Sequence, residues 1–237
     1  MSMIEEFEEE RKEHAQHTLE GLGHPEYAEM LEFVRQQLGE ANTERKKCGK
    51  MEINYSRFDH TKRVLAWTIR LYEKSERKSE IRFDEVVIAT IFHDVGRIAA
   101  DELGIPHAEA GVPITKKYLE EKGYAPEKVA YVCDLVARHS DKHRMREEGL
   151  DPGLLMLMEA DLMDDMGALG IVMDCMIVVS RNPIAKFEDC LDHVTNYTLR
   201  LQEEENPMVS PEGIALWNEK TELTRKFVEA LRRDIML

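Results

Sequence analysis

Apolar residues in this chain recur at intervals of three and four, segment after segment, and no window shows the alternating β-branched pattern of a strand. Each such segment has one face to bury, so the periodicity commits the chain to helices and predicts an all-α fold. Pro and Gly are sparse and fall between the periodic stretches, where they close one helix and open the next. The pattern predicts a charged helix up to about Gly21 and a second over Pro25 to Ala41 with Tyr27, Met30, Leu31, Phe33, Val34 and Leu38 as its apolar stripe. Together they read as a docking hairpin or lid. A polar linker is expected around Cys48 to Ser56, and then a helix capped near Asp59 that carries His60, Val64, Trp67 and Leu71.

Further helices are expected over Phe83 to His93, from His107 to Gly123, and over Pro126 to His139, with a loop from Asp101 to Pro106. Asp151-Pro152-Gly153 opens another, in which Leu154, Leu157 and Asp161 follow at i, i+3 and i+7. Two amphipathic helices, Ile184 to Gln202 and Pro211 to Met236, complete the chain on either side of Asn206-Pro207.

Charge restricts the partners. With 47 acidic against 32 basic residues the formal net charge is -15, and the cation-driven counterion release that carries affinity for a nucleic-acid polymer is unavailable to such a surface. A divalent cation is attracted instead, while an anionic substrate needs local cations beside its site to offset the global field. No run reaches the ~20 apolar residues that span a bilayer. The N-terminus is acidic where a secretion signal is basic and then apolar, so a cytoplasmic location is expected, with Cys48, Cys133, Cys175 and Cys190 reduced.

Three of the predicted helices turn a histidine or aspartate toward the interior: His60, the adjacent pair His93-Asp94, and Asp161. Two inward carboxylates are costly without a cation, and bound metal is one of the few partners that makes them tolerable together. Imidazole and carboxylate without thiolate suit Mn, Fe, Co, Ni, Mg or Zn rather than a structural zinc finger. Met156, Met158, Met163, Met166, Met173 and Met176 read as adaptable core filling.

The order His, then His-Asp at a helix end followed by Gly, then Asp resembles the HD superfamily of metal-dependent phosphohydrolases. The matching stretches are Asp59-His60-Thr61-Lys62-Arg63-Val64, Ile91-Phe92-His93-Asp94-Val95-Gly96-Arg97 and Glu159-Ala160-Asp161-Leu162-Met163-Asp164. The likeness is strongest to small stand-alone bacterial and archaeal members and runs over about Ser56 to Leu231. It implies an HD-type helical bundle over 51–237 with a helical extension over 1–50. It also implies one or two divalent ions on His60, His93, Asp94 and Asp161, with His107 and His139 where some members hold a second metal. His143, four residues past His139, is the lesser alternative, because Ser140-Asp141 reads as a helix ending.

The implied chemistry is hydrolysis of a nucleotide or another small phosphate ester by a metal-activated water, with Asp94, Arg97 and Asp164 as catalytic groups. Arg97 stands where many members carry Lys. Arg63, Arg138, Lys142 and Arg144 are candidates for the cationic rim. A diiron oxygenase and a non-catalytic metal- or nucleotide-binding module are the alternatives, and the terminal helices are available for a homodimer. His14 and His17 read as a solvated helix face, and His24 and His193 have no evident partners.

Overall fold

The computed structural model describes residues 24–38, 43–48 and 51–236, with residues 43–48 and 51–55 described by their backbone alone. The elements in order are α1 (Glu26–Gln37), β1 (Thr43–Cys48), β2 (Met51–Ser56), α2 (Arg57–Lys74), α3 (Phe83–Phe92), α4 (Arg97–Leu103), α5 (His107–Glu121) and α6 (Pro126–Arg138). They continue with α7 (Pro152–Asp164), α8 (Ala168–Arg181), α9 (Phe187–His193), a π-helical turn (Val194–Leu199), α10 (Arg200–Glu204) and α11 (Pro211–Ile235). The fold is all-α, with one two-stranded antiparallel ribbon.

α3 is the axis of the bundle. Every residue from Val86 to Phe92 is buried, because α1, α2, α6 and α7 pack around it. α7 is enclosed in the same way along Gly153 to Ala160. Helices that are apolar on all sides belong at the centre of a bundle, and each fully buried Leu or Ile side chain there contributes about 1.5–3 kcal/mol. α2 keeps a one-sided stripe, with His60, Val64, Thr68 and Leu71 on the buried side. Caps set where the helices that carry His60 and Asp161 start. Ser56 accepts the Asp59 amide of α2 at 3.1 Å, and Asp151 accepts the Leu154 amide of α7 at 2.9 Å. A smaller apolar cluster of Ile171, Val194, Leu199 and Val228 holds α8 to the C-terminal helices.

The structure departs from expectation in four places. The polar linker is a β-hairpin with Thr43 opposite Ser56 and Cys48 opposite Met51; main-chain ladder bonds form it without any apolar alternation to announce them. α2 starts at Arg57, capped by Ser56 rather than Asp59. Part of the expected Asp101 to Pro106 loop belongs to α4, whose helix-forming Ala99, Ala100 and Leu103 precede Gly104 in the left-handed conformation (φ 69°). The expected helix over Ile184 to Gln202 starts later, at Phe187, and runs without a gap to Glu204, with a π-helical turn over Val194–Leu199 between α9 and α10.

Of the N-terminal hairpin only α1 is described, buried through Tyr27, Met30, Leu31, Val34 and Leu38; the charged helix up to Gly21, with His14 and His17, lies outside the described residues. Cys133, Cys175 and Cys190 are free thiols. No helix among the described residues is long and apolar enough to cross a membrane.

Candidate metal centre

Helix ends converge on one point. His60 lies in the first turn of α2 and His107 is the first residue of α5. His93 and His139 cap the carboxyl ends of α3 and α6, and Asp161 lies in the last turn of α7. Carboxyl ends of helices carry partial negative charge and amino ends partial positive charge, so the three carboxyl ends here favour a cation against the opposing field of the two amino ends.

His60, His93 and Asp161 form the first group of donors. His60 Nε2 is 3.3 Å from His93 Nε2 and 3.1 Å from Asp161 Oδ1, and His93 Nε2 is 3.8 Å from that same oxygen. Asp94 Oδ2 closes the group at 3.8 Å from each imidazole nitrogen. The second group is Asp94, His107 and His139. Here Asp94 uses its other oxygen: Oδ1 is 3.2 Å from His107 Nε2 and 3.9 Å from His139 Nε2, and the two imidazole nitrogens are 3.1 Å apart. One carboxylate thus faces both groups, one oxygen to each.

Gly96 makes the second group possible. A Cβ there would stand 2.3 Å from both the Gly111 amide nitrogen and the His107 carbonyl oxygen, so only glycine lets the backbone of α5 come this close to the turn after Asp94. That approach carries His107 to Asp94.

The donors fit a divalent ion. A first-row metal with bonds of about 2.0–2.2 Å holds neighbouring donor atoms about 3–3.6 Å apart, close to the spacings in both groups. The tautomers fit as well. His93 Nδ1 donates to the Thr90 carbonyl and His139 Nδ1 to the Val136 carbonyl, each at 2.7 Å, which leaves both Nε2 lone pairs for the centre. His60 Nδ1 lies 2.7 Å from Asp164 Oδ2, so a buried carboxylate orients this ring. Arg63 in turn grips Asp164 with Nε at 2.7 Å and a terminal nitrogen at 2.9 Å.

Burial pushes the His60 imidazole down, yet its bonds to Asp161 and Asp164 and the charge of Asp94 outweigh that and raise it to about 9. Without metal, His60 is therefore a cation whose Nε2–H occupies the centre of the first group. Burial, reinforced by neighbouring imidazole charge, lowers His93 and takes His139 to about 3. Burial also pushes Asp94 and Asp161 up, but both stay well below the usual carboxylate range. His93, His107 and Arg97 hold Asp94 down, and Lys142 and His60 hold Asp161 down. The ionised carboxylates and the neutral rings of His93 and His139 are in the protonation states that metal ligation requires, and His60 must release its proton to join them.

The cations sort themselves by packing. Arg97 Nε bonds Asp94 Oδ1 at 2.9 Å, Lys142 Nζ pairs with Asp161 Oδ2 at 2.9 Å, and Arg63 stands behind His60 on Asp164. Arg138 and Arg144, read as rim candidates, instead pair with Asp134 at 3.0 Å and Glu147 at 2.8 Å on the helices' own surfaces. Sequence reasoning missed Arg57, 3.3 Å from Asp94 Oδ2; its place three residues before His60 at a helix start was the available signal. His143 is exposed on a 3₁₀ turn, whereas His139 is buried and in the second group. His24 meets Glu26 at 3.2 Å, and His193 meets Asp174 at 3.5 Å and stacks on Tyr197, both outside the donor groups.

Comparison with known proteins agrees with this geometry. Residues 57–166, the stretch holding every donor above, match the HD domain family model. A search of curated protein sequences gave no match. Among solved structures, the chain resembles an HD-superfamily hydrolase from Bacillus thuringiensis at 18% identity and TM-score 0.61, over 88% of this chain and 96% of that one. It also resembles a predicted HD superfamily hydrolase from an uncultured Thermotogales bacterium (17% identity, TM-score 0.59, 87% and 91%). Bacillus subtilis YpgQ in complex with ADP is similar at 17% identity and TM-score 0.54, over 88% and 97%. These likenesses establish a shared fold. The family match falls on the helices that bring His60, His93, Asp94 and Asp161 together, so the stretch 57–166 is similar to an HD domain in sequence as well as in fold.

Proposed function

We propose that this protein is a metal-dependent hydrolase of phosphate esters, acting on a nucleotide or another small phosphorylated metabolite. The observation that carries the reading is the shared carboxylate of Asp94, which turns one oxygen to each of two donor groups. In the proposed assignment His60, His93, Asp94 and Asp161 hold one divalent ion, and Asp94, His107 and His139 hold a second. Bound there, the metal supplies Lewis acidity that lowers the pKa of a water and neutralises charge on phosphoryl oxygens.

The chain's own groups do the rest. Asp164, gripped by Arg63, fixes the His60 ring so that Nε2 faces the centre; it acts through His60 and is a positioning residue. Arg97 and Lys142 are partly exposed at the mouth, where they set positive charge against the acidic whole and meet the equatorial oxygens of a transferring phosphoryl group. The ADP complex of the similar YpgQ fold supports a nucleotide among the substrates. We assign the site to a unit spanning 51–237, with 1–50 as an extension packed on it, and place the protein in the cytoplasm.

The test is elemental analysis of the purified protein, followed by a phosphate-release screen over nucleotides and sugar phosphates with the metal found. One or two divalent ions per chain and turnover of a phosphate ester are expected, and Asp94→Ala is expected to remove both. Full activity in Asp94→Ala overturns the assignment. Iron with oxygen uptake and no phosphate release identifies an oxygenase instead, and tight metal binding with no turnover identifies a binding module.

A further inference from the structure

Arg35 on Glu32, Arg77 on Glu80 and Arg144 on Glu147 are side-on pairs. Each arginine donates from Nε and from a terminal nitrogen to the two oxygens of an acid three residues away, and Arg63 grips Asp164 in the same manner. Parallel bonds to both oxygens satisfy both partners. Arg97 and Asp94 have the same three-residue spacing and pair differently. Nε donates to Oδ1 at 2.9 Å, and among the described residues no protein group is bonded to either terminal nitrogen.

The cause is the way Asp94 is shared. Its Oδ2 is turned to the first donor group, 3.8 Å from His60 and His93 and 3.3 Å from Arg57, so Oδ1 alone is bonded to Arg97. A carboxylate that divides its oxygens between two groups cannot complete the side-on pair. The result is a planar guanidinium anchored at one corner and 31% exposed. Its open terminal donors lie beside the second group, whose His107 Nε2 is 3.2 Å from the same Oδ1. The neighbouring cations have less to offer. Lys142 gives its ammonium to Asp161 at 2.9 Å and to the Met158 carbonyl at 3.0 Å, and Arg57 is only 13% exposed.

We propose that Arg97 selects the substrate. Its terminal nitrogens take two oxygens of a phosphoryl group that bears three unesterified ones, a phosphomonoester or the terminal phosphate of a nucleotide, in preference to a phosphodiester. The selection rests on the hydrolysis proposed above and narrows it. Counting oxygens shows why. A phosphoryl group that gives two oxygens to the fork needs a third for the ion that the donor groups would hold. A monoester has three. A diester has two, so it leaves one donor of the fork unpaired or shares an oxygen between fork and ion. A hydrogen bond to a charged group, lost in this way, is worth about 10- to 100-fold in affinity. Lysine cannot substitute, because an ammonium is a point of charge and not a pair of parallel donors.

Two anions that resist hydrolysis separate the fork from simple charge: methylphosphonate, with three free oxygens, and dimethylphosphinate, with two. Calorimetry measures the binding of each to wild type and to Arg97→Lys, with metal held saturating and its content verified in both proteins. Wild type is expected to favour the phosphonate. Arg97→Lys is expected to shrink the ratio of the two affinities about 10- to 100-fold, by weakening the phosphonate and leaving the phosphinate nearly unchanged. A wild type that binds both anions equally overturns the selection without any variant. So does an Arg97→Lys protein that keeps the wild-type ratio, because charge alone then explains the preference. Turnover of phosphate esters beside an unchanged ratio removes the role of Arg97 and leaves the hydrolytic reading in place. Binding of neither anion, with no phosphate ester turned over, removes that reading and the selection with it.

Discussion

The two donor groups that share Asp94 differ in how firmly they are built. In the first, His60 is held from behind by Asp164, itself forked by Arg63, and His93 by the Thr90 carbonyl, so both rings reach the centre already oriented. In the second, His139 is held by the Val136 carbonyl and is 1% exposed. His107 is 18% exposed on the first turn of a helix, and among the described residues no protein group holds its other nitrogen. A ligand that pays no ordering cost binds more tightly, so the contrast implies a retained ion in the first group and an exchangeable one in the second.

Removing one ligand from each group breaks the comparison most directly. His60→Ala is expected to empty the first group and abolish turnover, while His107→Ala keeps one ion per chain and loses the other. In each case the loss should exceed the about 10–100-fold that follows removal of an outer partner. Metal content after dialysis, read beside activity, checks this; equal loss from both variants would show that the groups fill and empty as one.

A smaller effect is expected behind His60. Asp164→Asn keeps an acceptor for the ring but removes the charge, and should weaken metal binding about 10–100-fold with little change in fold. Competition with a chelator measures it, and an unchanged affinity would remove Asp164 from the site.

The smallest effect is the pH dependence of the metal-free protein. His60 is raised from 6.5 to about 9, so its contribution to stability is complete below 6.5 and is lost as pH rises through 9. His93 is lowered and His139 is lowered to about 3, so their contributions are present above 6.5 and are lost as pH falls below it. Thermal unfolding without metal is therefore expected to be most resistant near pH 6.5 and to weaken as pH rises from there toward 9 or falls below it. Bound metal should erase the alkaline limb, because it replaces the proton on His60. A flat profile through that range would contradict the charge state assigned to this ring.

Much of this was legible in the residues. The stripes of α2 and α6 announced their buried faces, and the adjacency of His93 and Asp94 placed an imidazole and a carboxylate together at one helix end. The cations were harder to read. Lys142 and Arg144 are two residues apart on one turn, yet Lys142 reaches Asp161 and Arg144 reaches Glu147, and nothing local separates them. Arg57 was passed over because its partner, Asp94, lies 37 residues away. The hairpin escaped notice because its register rests on main-chain bonds that any non-proline residue can make.

By itself, then, the sequence determined the class of fold and the inventory of candidate donors, because helical period and the chemistry of imidazole and carboxylate act over a few neighbouring residues. Only the tertiary structure decided that Asp94 divides its oxygens between two groups, that Gly96 admits α5, and which cations face the centre. Those facts depend on how helices far apart in sequence come to rest on α3, and packing across such separations is a property of the assembled core.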